Sequence, residues 1–271
     1  MGPGMESRTD DVFMARTGFP TMRIALCQIG TSTDLIDDNV AGIERCLETE
    51  ADMYVFPEMF LTGYFSKEKD DGALRSALDR LLAIASERRI CIVAGGPEYT
   101  ANRTYDSAYV ISDSVRTYRK IHLPNFPPFT EKERFIPGSA PFTFDFNGIR
   151  FGLCICYDVF FPELLKSCTV DGSTVNIVIS ASPVSSRPAF ERVLPARALE
   201  NTSYLVFVNN IGTYDGMEFF AGSRVLNPDG STLKTFEEEG VIVFDYDPEA
   251  VEDARRKRPV IADTVSEIKW K

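Results

Sequence analysis

The 271 residues carry a formal net charge of −11, with 44% hydrophobic and 25% charged residues, which is ample for one large α/β domain with a buried core. No apolar run approaches the roughly 18–20 residues that cross a bilayer, and the acidic balance lacks the basic face of a nucleic-acid binder. Membrane-spanning and nucleic-acid-binding classes are therefore disfavoured from the start.

Residues 1–21 are polar and mixed, without the apolar stretch of a secretory signal. They read as a loose leader to a single domain over 22–271, because strand patterning begins at Met22. Met22–Ile29 alternates as a strand, Asp34–Glu50 has helical spacing, and Met53–Phe56 is a short apolar strand running into Pro57-Glu58. A helix over Leu74–Arg88 precedes a strand over Ile90–Gly95. Tyr105–Ile111 and Val115–Leu123 pair as a hairpin through Ser112-Asp113-Ser114. Pro124–Pro141 is too rich in proline to be regular throughout, and a long loop of this kind often lines a site. Phe142–Phe146 and Ile149–Ile155 flank Asn147-Gly148, a strong hairpin signal. A helix from Pro162 to Cys168, a strand over Val175–Ala181, a helix over Pro188–Glu200 and a strand over Tyr204–Val208 follow. Strands Phe220–Leu226 and Val241–Phe244 bracket an Asn227-Pro228-Asp229-Gly230 turn. Helices alternating with strands, interrupted by hairpins, predict mixed sheets packed face to face with helices outside. The basic run Arg255–Arg258 reads as a solvated helix end.

Six cysteines occur, without zinc-ligand spacing. With no secretory signal, they predict a reducing, cytoplasmic setting.

Three polar residues end apolar strands: Glu58 in VFPEMFLTGY, Lys120 in TYRKIHLPN and Cys156 in LCICYDVFFPE. A thiol needs a neighbouring base or cation to become a nucleophile. A carboxylate can take its proton and return it to a leaving amine, and a lysine can hold the oxyanion formed on a carbonyl. Cys156 lies where a strand turns into a helix, a place that favours a thiolate. His122, the only histidine, is two residues from Lys120 and points the same way on a strand, so a Cys–His dyad is a rival. Arg187 follows the strand ending at Ala181 and could pair a substrate carboxylate. Tyr64, Phe126, Phe129 and Ser182 are candidate pocket walls.

Five segments, in order, resemble the nitrilase or carbon–nitrogen hydrolase superfamily, in its amidase-like branch: FPEMFLTGY, YRKIHLPNFPPFTEKERFIPG, GLCICYDVFFPEL, RVLPARALENTSYLVFVNN and FFAGSRVLNPDG. The resemblance implies an α-β-β-α sandwich that forms a four-layer homodimer or higher homo-oligomer through the helix after Cys156 and the helix Pro188–Glu200. It implies a Glu58–Lys120–Cys156 triad and a second glutamate, Glu131, with Glu133 as the neighbouring alternative. It also implies an oxyanion held by Lys120 and the backbone N–H of Tyr157, a thioester intermediate, and no metal or organic cofactor. The substrate class is a small amide or nitrile, the leading reaction being hydrolysis of a carboxamide with release of ammonia. Nitrile hydrolysis, N-carbamoyl amine hydrolysis and a binding protein without turnover are the alternatives. FPPF at Phe126–Phe129 departs from the small or glycine-containing stretch of the family, which leaves the pocket shape open.

Overall fold

A computed structural model describes residues 22–265. Two six-stranded mixed sheets form the centre. The first is ordered β14-β1-β2-β3-β4-β5 and the second β13-β12-β9-β8-β7-β6. The first comprises β1 (Met22–Gln28), β2 (Met53–Val55), β3 (Cys91–Thr100), β4 (Arg103–Ile111), β5 (Val115–Arg119) and β14 (Gly240–Tyr246). The second comprises β6 (Phe142–Phe146), β7 (Ile149–Ile155), β8 (Val175–Ser180), β9 (Tyr204–Asn209), β12 (Ser223–Leu226) and β13 (Thr232–Phe236). A separate hairpin joins β10 (Ile211–Tyr214) and β11 (Met217–Phe220). Helices α1 (Ile36–Cys46) and α2 (Asp71–Arg88) cover the first sheet; α4 (Pro162–Val170) and α5 (Arg187–Asn201) cover the second. The expected α-β-β-α layering is present.

Side-chain alternation explains the layers. On β1, Ile24 and Leu26 point into the apolar core shared by the two sheets, while Ala25 and Cys27 pack against Ile36, Val40 and Ile43 of α1. The same alternation separates Val55 from Tyr54 on β2 and Val93 from Ile92 on β3. In α1 the buried face is Ile36, Val40 and Ile43, with Asp37 and Asp38 in the first turn, where the helix dipole favours them. Asp70 caps α2 by accepting from Ala73 N at 2.8 Å.

Strands β1, β2 and β3 are parallel, as are β7, β8 and β9. Strand β5 returns parallel to β3 through two antiparallel pairings. The carboxyl ends of β2, β5, β7 and β8 therefore lie at one edge of the sandwich, where open α/β sheets usually bind ligands.

Several boundaries differ from the sequence reading. β5 stops at Arg119, so Lys120 and His122 do not share a strand face; Lys120 is fully buried and the His122 side chain is 25% exposed. β3 runs on past Gly95-Gly96 to Thr100. Phe220–Leu226 is broken by Ala221 and Gly222, both at positive φ, into β11 and β12. The Asn227–Gly230 turn leads to β13, whose polar sequence TLKTF hid it; β14 crosses to the other sheet and pairs with β1. The β10–β11 hairpin was also missed, although Asp215-Gly216, both at positive φ, is a strong two-residue turn signal. The basic run ends α6 (Pro248–Lys257), where Arg256 to Arg258 are exposed, but Arg255 is half-buried and donates to Ser173 O. The proposed leader, residues 1–21, lies outside the described residues. Among the described residues, no helix is long and apolar enough to cross a membrane.

Candidate active site

Glu58 lies three residues beyond β2 and is fully buried. Its loop crosses β3 so closely that a Cβ on Gly95 would stand 2.4 Å from Met59 N and 2.6 Å from Glu58 Cα. Glycine is required there for contact rather than for its own backbone angle. Met59, at φ 53°, turns the chain back. Lys120 directly follows β5. Its backbone is held by a bond from its N–H to Asp106 O and one from Gly138 N to its own carbonyl. A Cβ on Gly138 would stand 2.2 Å from Arg119 O, so this approach too demands glycine.

Lys120 Nζ donates to three buried carboxylates: Glu58 Oε1 at 2.5 Å, Glu131 Oε1 at 2.8 Å and Asp106 Oδ2 at 3.2 Å. The carboxylates converge within 4.8 Å of one another, a spacing that could hold a metal ion. The ammonium supplies the positive charge there instead. Burial pulls the Lys120 pKa down, but Glu131, Glu58 and Asp106 outweigh it and raise it well above the ordinary lysine value. Burial raises Asp106 well above the usual carboxylate range, with the Glu58 charge adding to it against the pull of Lys120. Burial likewise raises Glu131, and Lys120 opposes it. Taking this many charges out of water costs several kcal/mol per ion. The mutual hydrogen bonds are what make the arrangement tenable.

Glu131 opens α3 (Glu131–Arg134), one helical turn inside the long proline-rich loop, and accepts from Tyr64 Oη at 2.8 Å. Glu133, the alternative, is exposed. Asp106 escaped the sequence reading. Its signal was an acidic residue on the inward face of β4, in line with Ala108 and Val110 of the core.

Cys156 follows β7 and has φ 48°, the left-handed region that a non-glycine residue enters only under constraint from its surroundings. It is 5% exposed. A five-residue 3-10 turn, Cys156–Phe160, leads into α4. Asp158 fixes this turn. Its Oδ2 accepts from Tyr118 Oη at 2.7 Å and from Ile155 N at 3.2 Å, and its Oδ1 accepts from His122 N at 2.8 Å. His122 Nδ1 lies 3.0 Å from the same Oδ1, and its ring stacks on Phe161 at 3.5 Å. The lone histidine thus braces the turn through Asp158, and the side-chain contact of Cys156 Sγ is with Ser182 Oγ.

Cys156 and Glu58 meet at the end of β8. Ala181 N donates to Glu58 Oε2 at 2.6 Å, and the next residue, Ser182, places Oγ 3.3 Å from Cys156 Sγ. Asn210 Nδ2 donates to Glu58 O at 3.2 Å. Burial, then the charge of Glu58, pushes the Cys156 thiol far above the ordinary cysteine range, while Lys120 pulls the other way. Burial beside carboxylates thus opposes the thiolate that the strand-to-helix turn at Cys156 favours.

A cavity of about 560 Å3 opens on the Glu131 side of this cluster; Glu58, Lys120, Cys156 and Ser182 are not among its lining residues. Tyr64 and Glu131 line it, together with Phe65, Phe129, Phe135 and Met217. Phe126 does not. It is 45% exposed and packs on Phe129 and on Tyr157, whose ring also meets Phe161 in a separate groove. Arg187 is also elsewhere, its guanidinium held by Glu191 at 2.8 Å and Glu237 at 2.6 Å. The arginine on the cavity wall is Arg134, which donates to Ser66 O at 3.2 Å and lies over the Phe135 ring.

Residues 23–256 match the carbon–nitrogen hydrolase family. An (R)-stereoselective amidase of Pseudomonas sp. is 30% identical over 254 residues, 89% of this chain and 91% of that protein. A structure of the amidase of Nesterenkonia sp. AN1, in a mutant whose active-site cysteine carries acrylamide from a Michael addition, is similar with a TM-score of 0.75 at 29% identity. It covers 87% of this chain and 97% of that one. A CN-hydrolase superfamily protein of Xanthomonas campestris shares the fold with a TM-score of 0.83 at 22% identity, over 93% and 100% of the two chains.

Proposed function

The chain belongs to the carbon–nitrogen hydrolase family, and on that premise we propose that it hydrolyses a small carboxamide through a thioester on Cys156, releasing ammonia. The observation that carries this reading is the junction at Ala181-Ser182, which ties Glu58 and Cys156 together beside the ammonium of Lys120. Glu58 Oε1 is held by Lys120 and Oε2 by Ala181 N, so the carboxylate has a fixed orientation.

The reaction runs as follows. Glu58 accepts the proton of the Cys156 thiol as Sγ bonds to the amide carbon. The carbonyl oxygen becomes an oxyanion, held by Lys120 and the backbone N–H of Tyr157. Glu58 passes its proton to the nitrogen, the C–N bond breaks and ammonia leaves. Water then attacks the thioester and yields a proton to Glu58; the C–S bond breaks, and the acid and thiol are regenerated. Glu131, anchored by Tyr64 and Lys120, faces the cavity and positions the amide nitrogen. A thiol far above neutrality suits this scheme, because proton removal is coupled to attack rather than preceding it. The slight exposure of Cys156 favours a small acyl group. Similar proteins bear amidase names and, at the same 30% identity, a nitrilase name, so amides and nitriles both belong in the screen.

Six free, buried cysteines fit a reducing compartment, the cytoplasm. A homodimer through the outer faces of α4 and α5 completes the reading; sedimentation as a monomer would overturn that part. The decisive screen measures ammonia release from amides, nitriles and N-carbamoyl compounds, with Cys156→Ala as control. Release from amides by the wild type alone is expected; equal release by folded Cys156→Ala sinks the assignment.

A further inference from the structure

At the end of β8 and just beyond it, two buried hydroxyls, Ser180 and Ser182, lead to the sulfur. Ser180 Oγ lies 2.7 Å from Ser182 Oγ, and Ser182 Oγ lies 3.3 Å from Cys156 Sγ. Ser180 is fully buried and Ser182 is 1% exposed. The Ser182 backbone cannot shift easily. Its N–H donates to Asn209 Oδ1 at 2.8 Å, and its carbonyl accepts from Asn209 Nδ2 at 3.1 Å and from Phe220 N at 3.1 Å. Asn209 is in turn tied to Ala221 O at 3.1 Å, and its backbone N–H bonds Ser223 Oγ at 3.0 Å.

We propose that Ser182 is a further catalytic residue, whose hydroxyl donates a hydrogen bond to Cys156 Sγ as the thiol loses its proton, and that Ser180 is a positioning residue that orients that hydroxyl. This rests on Cys156 being the nucleophile. Transfer of the thiol proton to Glu58 leaves the sulfur as the acceptor toward Ser182, which sets the donor order as Ser180 O–H to Ser182 Oγ and Ser182 O–H to Sγ. The hydroxyls move no proton; the thiol proton goes to Glu58. Their effect is to favour the charged sulfur, since a hydrogen bond to the ionised form lowers the cost of ionisation, and a charge-assisted bond is stronger than a neutral one. In a site where desolvation and nearby carboxylates oppose a thiolate, a preoriented donor on the sulfur costs no reorganisation at the moment of attack.

The test compares Ser182→Ala, Ser182→Thr and Ser180→Ala with the wild type in two assays: amide turnover, and the rate at which methyl methanethiosulfonate modifies Cys156 at a fixed mildly alkaline pH, read by peptide mass. Ser182→Ala is expected to slow Cys156 modification and to lower kcat by about tenfold each, the effect of one pKa unit, with KM within about twofold. Ser182→Thr, which keeps the hydroxyl, should restore most of both. Ser180→Ala should lower both by a smaller factor; because it leaves the sulfur's own neighbour in place, it keeps the test open if Ser182→Ala does not fold. Wild-type modification rates in the alanine variants, or a threonine variant as slow as alanine, overturn the hydroxyl chain. Turnover by Cys156→Ala would instead overturn the nucleophile itself, so the two failures are distinct.

Discussion

The middle of the sandwich and its charged edge are equally buried but built on opposite principles. Between the sheets, Leu26, Val55, Val93 and Ile177 are 0% exposed and need only shape and apolarity. At the edge, Glu58, Asp106, Lys120 and Glu131 are also 0–2% exposed, yet each is tolerable only because the others are there. The core is a sum of separable contacts. The site is a network in which one deletion strands the remaining charges.

Lys120→Met should separate the two most sharply. It leaves three carboxylates around a missing cation, so a loss of about 3–5 kcal/mol in denaturant unfolding is expected, with kcat down by about 10³-fold. A folded, active Lys120→Met of unchanged stability would break the comparison. Leu26→Ala is the matching probe of the core. It should cost about 2–5 kcal/mol while kcat/KM, measured well below the melting temperature, stays within about twofold of wild type. A large kcat loss without destabilisation would show that the core and the site are not separable.

Titration of Cys156 comes next. Burial and Glu58 raise the Cys156 thiol, so the ionised fraction in the resting enzyme keeps growing as pH rises. The rate of Cys156 modification by methyl methanethiosulfonate should therefore increase close to tenfold per pH unit from about pH 7 to 10. A plateau near neutrality would mean a resting thiolate paired with Lys120. The smallest effect is expected at Arg187, whose exposed guanidinium is already committed to Glu191 and Glu237. Arg187→Ala should leave kcat/KM within about twofold, and a selective rise in KM for carboxylate-bearing amides would return it to the site.

The same contrast governs what the sequence made legible. Alternation in MRIALCQ and the helical spacing of Ile36, Val40 and Ile43 are repeated signals, so the layers were readable. Glu58, Lys120 and Cys156 stood out as polar residues at the ends of apolar runs. Asp106 did not, because a single acidic residue within β4 becomes meaningful only when Lys120 Nζ is found 3.2 Å away. Partnership also separates Arg134, which ends α3 on the cavity wall, from Arg187, which opens α5: Glu191, four residues on, and Glu237, fifty residues away, commit Arg187 elsewhere. The proton of Cys156 shows the same two scales. The strand-to-helix turn is local, but the desolvation that dominates it comes from the whole fold. β13 was hidden by its polar sequence at the edge of its sheet.

The central claim, that Cys156 carries the acyl group between two chemical steps, is tested most directly by intact mass measurement. Wild type and Cys156→Ala, mixed with a turned-over amide and quenched in acid, should differ by one feature. The wild type gains the mass of the acyl group on Cys156, converted to a hydroxamate by hydroxylamine, while the alanine variant stays folded, unmodified and silent for ammonia. Ammonia release by Cys156→Ala, or acyl transfer mapped to any other residue, would contradict the account.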